Sequence, residues 1–291
     1  MIVVTGATGQ LGRLVVEGLL KTTPPGQIVA AVRNPEKAAD LAERGVQVRE
    51  ADYDRPETLK SAFAAGDRVL LISSDTVGVR LPQHKAVVDA AAEAGVALLA
   101  YTSVLRGDTS TLALAAEHKG TEEYIRASGI PFSFLRNGWY FENYDSTITQ
   151  AAEQGTIAGA SGEGRVSTAT RAEYAAAAVA VLTGEGHESG KSHENTVYEL
   201  AGDVAWTKAE LAAEIAAVTG KPVTYQDLPR EEYERVLIGA GLPEPVAAMF
   251  AAIEIDIAQG ALADTTGDLA RLIGRPTTPL RDTVAEVLAR T

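Results

Sequence analysis

The sequence predicts an α/β protein, with a doubly wound parallel sheet and a smaller, mainly helical region toward the C-terminus. Two observations lead to this prediction. Short apolar runs alternate with helical stretches over the first half of the chain, and a glycine-rich turn joins the first run to the first helix. Such alternation is typical of parallel strands, because each crossover helix returns the chain to the same end of the sheet.

Six apolar runs are predicted to form the strands. Each is short, rich in Val, Ile, Leu or aromatic residues, and bounded by turn residues. The runs are Ile2–Thr5, Gln27–Val32, Val46–Arg49, Arg68–Ile72, Ala97–Tyr101 and Phe132–Leu135. The segments between them carry apolar residues at helical spacing, as at Val87, Val88 and Ala91. This spacing predicts helices that bury one face against the sheet.

Residues that favour helix starts and stops mark the ends of these helices. Asn34 followed by Pro35 offers a side-chain cap and then a proline at the first helical position. Gly95 and Gly129 follow the last apolar position of two other helices, where a left-handed glycine commonly ends a helix.

The composition is that of a folded globular protein. Of the 291 residues, 46% are hydrophobic and 22% are charged, which excludes a disordered or fibrous chain. The formal net charge is -13, from 26 basic and 39 acidic residues. Because such a surface repels phosphate backbones, no nucleic-acid partner is expected.

Several kinds of site and location are excluded or disfavoured. The chain has no cysteine, which excludes disulfides, thiolate metal sites and a cysteine nucleophile. No metal is predicted either, because the four histidines lack ligand spacing; they are His84, His118, His187 and His193. No apolar run reaches the roughly 18–20 residues of a membrane span, and a strand follows Met1 at once. A cytoplasmic protein is therefore expected.

The most informative stretch is the turn Thr5–Gly12 between the first strand and the first helix. Gly6 permits the tight turn, Gly9 lets the backbone approach a pyrophosphate, and Gly12 allows close packing of the helix on the strand. The N–H groups at the helix start then point at the anion. This G-x-x-G-x-x-G spacing predicts dinucleotide binding by a Rossmann-type domain, and a purely structural glycine turn is the alternative.

The regular alternation stops near Leu135, and helices dominate the rest of the chain. We therefore predict an NADP-binding Rossmann domain over residues 1–136. A C-terminal substrate-capping region, interleaved with the sheet, is predicted over residues 137–291. Its predicted helices are Ala172–Leu182, Lys208–Thr219, Arg230–Gly239 and Pro245–Gln259.

The residue after the second strand indicates which dinucleotide binds. An NAD-preferring site places Asp or Glu there for the ribose 2′-hydroxyl, whereas this chain has Arg33, with Lys37 one helical turn later. A guanidinium forms charge-assisted hydrogen bonds with a 2′-phosphate. NADPH is therefore the predicted cofactor, and a solvated surface arginine is the alternative.

Two further stretches follow predicted strands and are candidates for cofactor contacts. Asp52 lies where an adenine amino group is commonly accepted, and a helix-capping role is the alternative. Ser73, Ser74 and Asp75 end the fourth strand. They would line the ribose and nicotinamide, or form a plain turn.

The acid–base pair of standard short-chain dehydrogenases, Tyr-x-x-x-Lys, is absent. None of the nine tyrosines has a lysine four residues later. Either the chain is not a catalyst, or its reaction needs no strong general acid on the substrate oxygen.

Several segments of the sequence together resemble the NmrA-like atypical short-chain dehydrogenases. They are Gly6–Gly12, Arg33, Tyr101–Ser103, His118 with Thr121 and Glu122, Gly129–Pro131 and Leu135–Tyr140. Ser167–Ala176 and Tyr198–Gly202 are similar to segments of the bacterial type 2 NADPH:quinone oxidoreductases. The resemblance covers essentially the whole chain, and it implies direct hydride transfer from NADPH to a quinone without flavin.

The resemblance also implies the cofactor residues. The cofactor set is Gly6, Ala7, Thr8, Gly9, Gln10, Leu11, Arg33, Ser73, Ser74, Asp75, Asn137, Gly138, Trp139, Tyr140, Phe141 and Glu142. His118 is the candidate catalytic residue, as proton donor or anion stabiliser, with a structural histidine as the alternative. Tyr140, Arg171 and Tyr174 are candidates for substrate binding, with packing or an ion pair as the alternative.

Two other functions fit the same residues. The NmrA-like group includes redox-sensing regulators that bind NADP(H) without turnover, and the missing Tyr-x-x-x-Lys pair fits them as well. A reductase of azo or triphenylmethane dyes is the other alternative, because these dyes also accept hydride at electron-poor conjugated centres. The sequence leaves the oligomeric state open.

Overall fold

Seven parallel strands form the central sheet of the computed structural model, which describes residues 1–76, 78–184 and 193–290. The strands of the protein are β1 (Ile2–Thr5), β2 (Ile28–Val32), β3 (Gln47–Glu50), β4 (Arg68–Leu71), β5 (Leu98–Val104), β6 (Phe132–Asn137), β7 (Trp139–Tyr140), β8 (Thr156–Gly159), β9 (Arg165–Val166), β10 (Thr168–Ala169), β11 (Thr196–Leu200), β12 (Trp206–Thr207) and β13 (Thr224–Asp227). The order across the central sheet is β11-β6-β5-β4-β1-β2-β3. The winding reverses at β1, where a crevice opens beyond the carboxyl ends of the strands.

This sheet confirms the predicted fold class and all six predicted strands. β1 has the predicted bounds, whereas β5 and β6 extend farther, to Val104 and Asn137. The seventh strand, β11, comes from the region predicted to be mainly helical. It is an edge strand in which only Tyr198 and Leu200 are buried, so it lacks the short apolar run by which most of the other strands were recognised.

Twelve α-helices and three short 3₁₀ helices complete the described chain. The α-helices are α1 (Gln10–Leu19), α2 (Ala39–Glu43), α3 (Pro56–Leu59), α4 (Arg80–Ala94), α5 (Ala115–Ser128), α6 (Asp145–Gln154), α7 (Arg171–Thr183), α8 (Lys208–Thr219), α9 (Arg230–Gly239), α10 (Glu244–Ala258), α11 (Asp268–Ile273) and α12 (Leu280–Ala289). The 3₁₀ helices are Pro25–Gln27, Pro35–Ala38 and Phe141–Tyr144.

The predicted caps are confirmed. The side chain of Asn34 accepts the N–H of Glu36 at 2.9 Å and so caps the helix that begins at Pro35. Gly95 and Gly129 end α4 and α5 in the left-handed conformation, with φ of 71° and 76°. A residue with a Cβ would be strained at both positions.

Helices cover both faces of the sheet. On one face, α1 and α7 pack against buried residues such as Val4 and Leu135. On the other face, α4 and α5 pack against residues such as Val69 and Phe134. Because α7 and β11 come from the C-terminal half, this half contributes both to the sheet and to the hydrophobic core on the face that α1 and α7 cover.

A third hydrophobic core holds the rest of the C-terminal region together. It includes Ile148 of α6, Leu211 of α8, Ile253 of α10 and Val284 of α12. Val104, at the end of β5, belongs to the same core, so this region packs beside the carboxyl end of the sheet. Among the described residues, no helix combines the length and apolar character needed to cross a membrane.

Candidate active site

A cleft of about 610 Å³ lies at the carboxyl ends of β1, β2, β3 and β4. Its walls come from four turns that each follow one strand, together with single residues of α4 and α7. The lining residues are Gly6, Thr8–Gly12, Arg33, Asn34, Lys37, Ala51–Asp54, Ile72–Thr76, Gln83 and Arg171. The parallel sheet brings these turns together, because all four strands end at the same edge.

The glycine loop has the geometry of a pyrophosphate site. Gly6 has a φ of +59°, and its carbonyl accepts the N–H of Gly9 at 2.9 Å. A Cβ on Gly12 would lie 2.3 Å from the oxygen of Gly6, so only glycine fits there. Gly9 caps α1 without a side chain, which leaves the first-turn N–H groups free to face an anion.

Two basic side chains stand at the same cleft. Arg33 and Lys37 are both exposed, and both line the wall that follows β2. A phosphate held beside them would meet two positive charges, and no carboxylate follows β2 directly. The residues therefore fit a dinucleotide that carries a 2′-phosphate.

Asp52 lines the cleft and also stabilises its own turn. Its Oδ1 accepts the N–H of Asp54 at 3.1 Å, and its Oδ2 accepts Nε of Arg55 at 3.1 Å. These contacts stabilise the turn before α3, but Asp52 is not the helix cap that was weighed against adenine binding, because the N-cap residue of α3 is Arg55 and no side chain caps the helix. The adenine contact of Asp52 stays a prediction.

Ser73 and Ser74 are fixed in the cleft wall by their backbone. The N–H of Ser73 donates to Oγ1 of Thr102 at 2.9 Å, and the N–H of Ser74 donates to Nε2 of His84 at 3.0 Å. The turn after β4 is therefore tied both to β5 and to α4.

His118 lies beneath this wall, buried on α5, and does not line the cleft. Its Nδ1 is 2.7 Å from the Tyr101 hydroxyl, and its Nε2 is 3.2 Å from Nη1 of Arg80. A guanidinium only donates, so Nε2 accepts and the ring proton is on Nδ1. Burial, aided by the positive charge of Arg80, lowers the pKa of His118 to about 3. The ring is therefore neutral at pH 7, and its role as a proton donor stays a prediction.

Arg80 and His84 connect this buried histidine to the cleft, and the sequence did not point to either residue. Nε of Arg80 donates to the carbonyl of Ser74 at 2.7 Å. His84 accepts the N–H of Ser74 and lies 2.9 Å from Oγ1 of Thr121. Burial, aided by Arg80, lowers the pKa of His84 to about 3 as well.

A sequence signal for these residues was available. The apolar stripe of α4 through Val87 and Ala91 continues upstream at helical spacing to Arg80, Gln83 and His84, and all three are buried. Polar residues on the buried face of a helix mark either a structural network or a site.

Glu122 lies one turn beyond His118 on α5, the same spacing as the standard Tyr-x-x-x-Lys pair. Its carboxylate is buried and accepts hydrogen bonds from Nε and Nη2 of Arg136, at 2.9 Å and 2.7 Å. The hydroxyl of Ser103 donates to it at 2.6 Å. This position therefore holds a fully paired carboxylate instead of a lysine.

Arg171 joins the C-terminal region to the cofactor cleft. Its guanidinium carbon lies 4.9 Å from the centre of the Tyr140 ring, and its backbone N–H donates to Glu142 at 2.8 Å. Arg171 and Glu142 also border a second depression, which reaches the glycine loop at Thr8–Gln10.

The remaining predicted residues lie outside the walls of the main cleft. Ala7 is buried in the core beneath the glycine loop, and Tyr174 is buried with its ring centre 5.3 Å from that of Tyr140. Phe141 packs against Tyr144 and Trp206 in the third core. Asn137 ends β6, Gly138 links it to β7, and Trp139 and Tyr140 form β7; none of the four lines the cleft.

Asn137 and Tyr174 carry buried polar atoms without a partner among the described residues. Nδ2 of Asn137 donates to the Tyr140 hydroxyl at 3.3 Å, while its Oδ1 accepts nothing there, and the Tyr174 hydroxyl has no partner either. The Tyr174 hydroxyl lies beside Gly138, so both atoms lie at the stretch from Asn137 to Glu142 that belongs to the predicted cofactor set.

No metal centre is found in residues 1–76, 78–184 and 193–290, where no three His, Cys, Asp or Glu side chains are grouped as ligands would be. His187 lies outside the described residues.

Comparison with protein families places the chain among known sequences. The model of the NmrA-like family matches residues 1–264. Quinone oxidoreductase 2 of Escherichia coli (strain K12) is 50% identical over 287 residues, which cover 99% of this chain and 98% of that protein. An NAD(P)H azoreductase of Xenophilus azovorans is 30% identical over 95% of this chain and 94% of its own length.

Solved structures agree with these sequence matches. The NADPH complex of the Escherichia coli NADPH-dependent quinone oxidoreductase superposes with a TM-score of 0.93 at 49% identity, covering 99% of this chain and all of that one. Triphenylmethane reductase of Citrobacter sp., complexed with NADP(H), also has a TM-score of 0.93, at 42% identity and the same coverage of both chains.

Proposed function

This chain belongs to the NmrA-like family, and we propose that it is an NADPH-dependent quinone oxidoreductase. The single observation that carries the substrate assignment is its full-length similarity, at half of all positions, to quinone oxidoreductase 2. The cleft supports the cofactor assignment independently, because a glycine loop and two basic side chains face the same space.

The proposed cofactor contacts divide along the cleft. The N–H groups at the start of α1 hold the pyrophosphate, and Arg33 with Lys37 holds the 2′-phosphate. Ser73, Ser74 and Asp75 line the ribose, and the segment from Asn137 to Glu142 packs toward the nicotinamide. When bound, NADPH supplies a hydride, and one proton then completes the reduction of the quinone to the hydroquinone.

The chain needs no strong general acid for this reaction. A quinone is already a strong electrophile, and the anion formed by hydride addition is only modestly basic. Catalysis then depends mainly on holding the reactants about 3–3.5 Å apart in the right orientation. The absence of a Tyr-x-x-x-Lys pair agrees with this requirement.

The positive charge nearest to the Ser74 wall belongs to Arg80. Its guanidinium is one hydrogen bond from Ser74, and its charge lowers the energy of negative charge that arises in this part of the cleft. His118 and Tyr101 hold Arg80 and the wall in place from below. We therefore propose that His118 acts through Arg80 as a positioning residue.

For the quinone ring, we propose a wall formed by Tyr140. Arg171 lies over one face of this ring and the Tyr174 ring meets it at 72°, so the predicted substrate residues act as one unit. Because the reaction consumes NADPH, we propose the cytoplasm as the place of action.

The test is oxidation of NADPH by purified, flavin-free protein with and without a simple benzoquinone, followed by the loss of nicotinamide absorbance. Turnover that requires the quinone and exceeds the non-enzymatic rate supports the proposal. NADPH binding without turnover on quinones or dyes would contradict it and favour a redox-sensing regulator.

A second candidate substrate class is the triphenylmethane and azo dyes. The similarity to triphenylmethane reductase over the whole chain favours it. Comparing kcat/KM for benzoquinone with kcat/KM for a triphenylmethane dye decides between the two classes.

A further inference from the structure

We propose that Gln83 recognises the adenine of the cofactor by accepting a hydrogen bond from its exocyclic amino group. This inference rests on the proposed use of NADPH and adds a residue that determines base specificity. Gln83 is on the buried face of α4 and lines the cleft between the turns that follow β3 and β4.

The orientation of the Gln83 amide is fixed by its neighbour. Nε2 of Gln83 donates to Oδ1 of Asp54 at 2.8 Å. An ionised carboxylate can only accept, so the amide nitrogen faces Asp54 and the carbonyl oxygen faces away from it.

The carbonyl oxygen of Gln83 is buried and accepts no hydrogen bond from the described residues. The side chain is only 9% exposed, so bulk water does not solvate it freely. A buried acceptor without a donor is costly, and here it belongs to a residue that lines a ligand cleft. A donor on the ligand would remove this cost.

The turn that follows β3 offers carboxylate acceptors around Gln83. Asp52 and Asp54 line the same corner with carboxylates, and the Tyr53 hydroxyl already donates to the carbonyl of Ile72 at 3.0 Å. Adenine presents an amino group at its edge, whereas hypoxanthine and guanine present a carbonyl oxygen at that position. This corner therefore fits adenine and opposes the other two bases.

Gln83 is better placed than Asp52 to make this contact. Both carboxylate oxygens of Asp52 already accept hydrogen bonds within its own turn, from Asp54 and Arg55. The Gln83 oxygen has both of its lone pairs free.

The test compares binding of NADPH with binding of its hypoxanthine analogue, reduced nicotinamide hypoxanthine dinucleotide phosphate. Dissociation constants are measured by calorimetry without a quinone. The wild-type protein is expected to bind NADPH at least roughly tenfold more tightly. In Gln83→Met the preference is expected to fall to about twofold or less, mainly through weaker NADPH binding.

Two further variants make the result specific. Gln150→Met, an exposed residue of α6 that borders no described cleft, is the matched control and should keep the wild-type preference. Asp52→Ala tests the competing acceptor. A preference that survives Gln83→Met, or that disappears only in Asp52→Ala, would overturn the proposal.

Wild-type protein alone also gives a decisive result, which does not depend on the folding of any variant. Equal affinity for NADPH and the hypoxanthine analogue overturns the role of Gln83 and leaves the reductase proposal intact. Failure to bind either dinucleotide overturns both.

Discussion

The side chain of Arg80 donates a hydrogen bond to the ring of His118, with Nη1 of the guanidinium 3.2 Å from Nε2 of the imidazole. Burial, aided by this contact, keeps the histidine neutral and leaves the arginine as the buried cation of the pair. The same arginine donates to the carbonyl of Ser74 in the cofactor cleft. The charge state of the buried network is thus linked directly to the wall of the proposed site.

Replacing Arg80 by Met should lower kcat for quinone reduction about tenfold, because the buried positive charge next to the cleft is lost. The affinity for NADPH should change little. The variant should also raise the pKa of His118, since Arg80 is one of the two main causes of its depression. Steady-state kinetics measure the change in kcat, and NMR titration of the His118 ring into the acid range measures the change in its pKa.

Arg44→Met is the control for Arg80→Met, because Arg44 pairs with Glu17 on the exposed surface away from the cleft. Equal kcat values and identical His118 titration profiles for Arg80→Met and the wild-type protein would show that Arg80 has a purely structural role.

Changing Arg33 to Glu should weaken NADPH binding by roughly tenfold to hundredfold and leave NADH binding nearly unchanged. The reason is the loss of charge-assisted hydrogen bonds to the 2′-phosphate, which NADH lacks. Lys21→Glu makes the same change of charge at an exposed position outside the cleft. Titrations of both variants with NADPH and with NADH give the dissociation constants to compare. Equal losses of NADPH and NADH affinity in Arg33→Glu would rule out the 2′-phosphate contact.

Acid should destabilise the protein below about pH 6.5 through His84 and His118. Burial lowers the pKa of both rings to about 3 in the folded state, whereas the unfolded chain binds their protons near pH 6.5. The unfolded state therefore binds more protons as the pH falls. Stability is complete above pH 6.5 and is lost below it, by up to about 1.4 kcal/mol per pH unit for each histidine.

Urea unfolding at pH 7.5 and pH 5 measures this loss. His84→Gln keeps an acceptor for the N–H of Ser74 without a titrating ring, so its stability should depend less on pH over this interval. An equally steep loss in His84→Gln would show that His84 does not contribute.

Gly12→Ala should abolish tight NADPH binding and cost about 1–3 kcal/mol of stability. The new methyl group would lie 2.3 Å from the carbonyl oxygen of Gly6, so the glycine loop must move. Gly26→Ala is the matched control, because a Cβ there meets nothing within 4 Å. Unfolding curves and NADPH titrations of both variants check the prediction, and an unchanged affinity in Gly12→Ala would contradict the placement of the pyrophosphate.

Much of the site was predictable because it follows the strands in sequence. Gly6–Gly12, Arg33 and Ser73–Asp75 each come directly after a recognisable apolar run, and a parallel sheet necessarily gathers such turns at one edge. Glycine spacing and the residue type after β2 then limit the ligand to a phosphorylated dinucleotide.

The parts that were not predictable depend on contacts between distant segments. His118 faces Tyr101 and Arg80 because α4 and α5 pack side by side, and no local pattern encodes that pairing. Nor does the aromatic character of Tyr174 show that it lies buried beneath Tyr140 and outside the cleft. β11 was missed for a similar reason, since this edge strand is defined by its partner β6 more than by its own apolar residues.

The sequence by itself determined six of the seven strands of the sheet, the glycine loop and the preference for a 2′-phosphate, because strand alternation and residues at fixed offsets express these locally. Tertiary structure alone decided the charge of His118, the hydrogen bond that Arg80 gives to the cleft wall and the free oxygen of Gln83. These properties depend on burial and on partners far apart in the chain, and both arise only when the helices pack on the sheet.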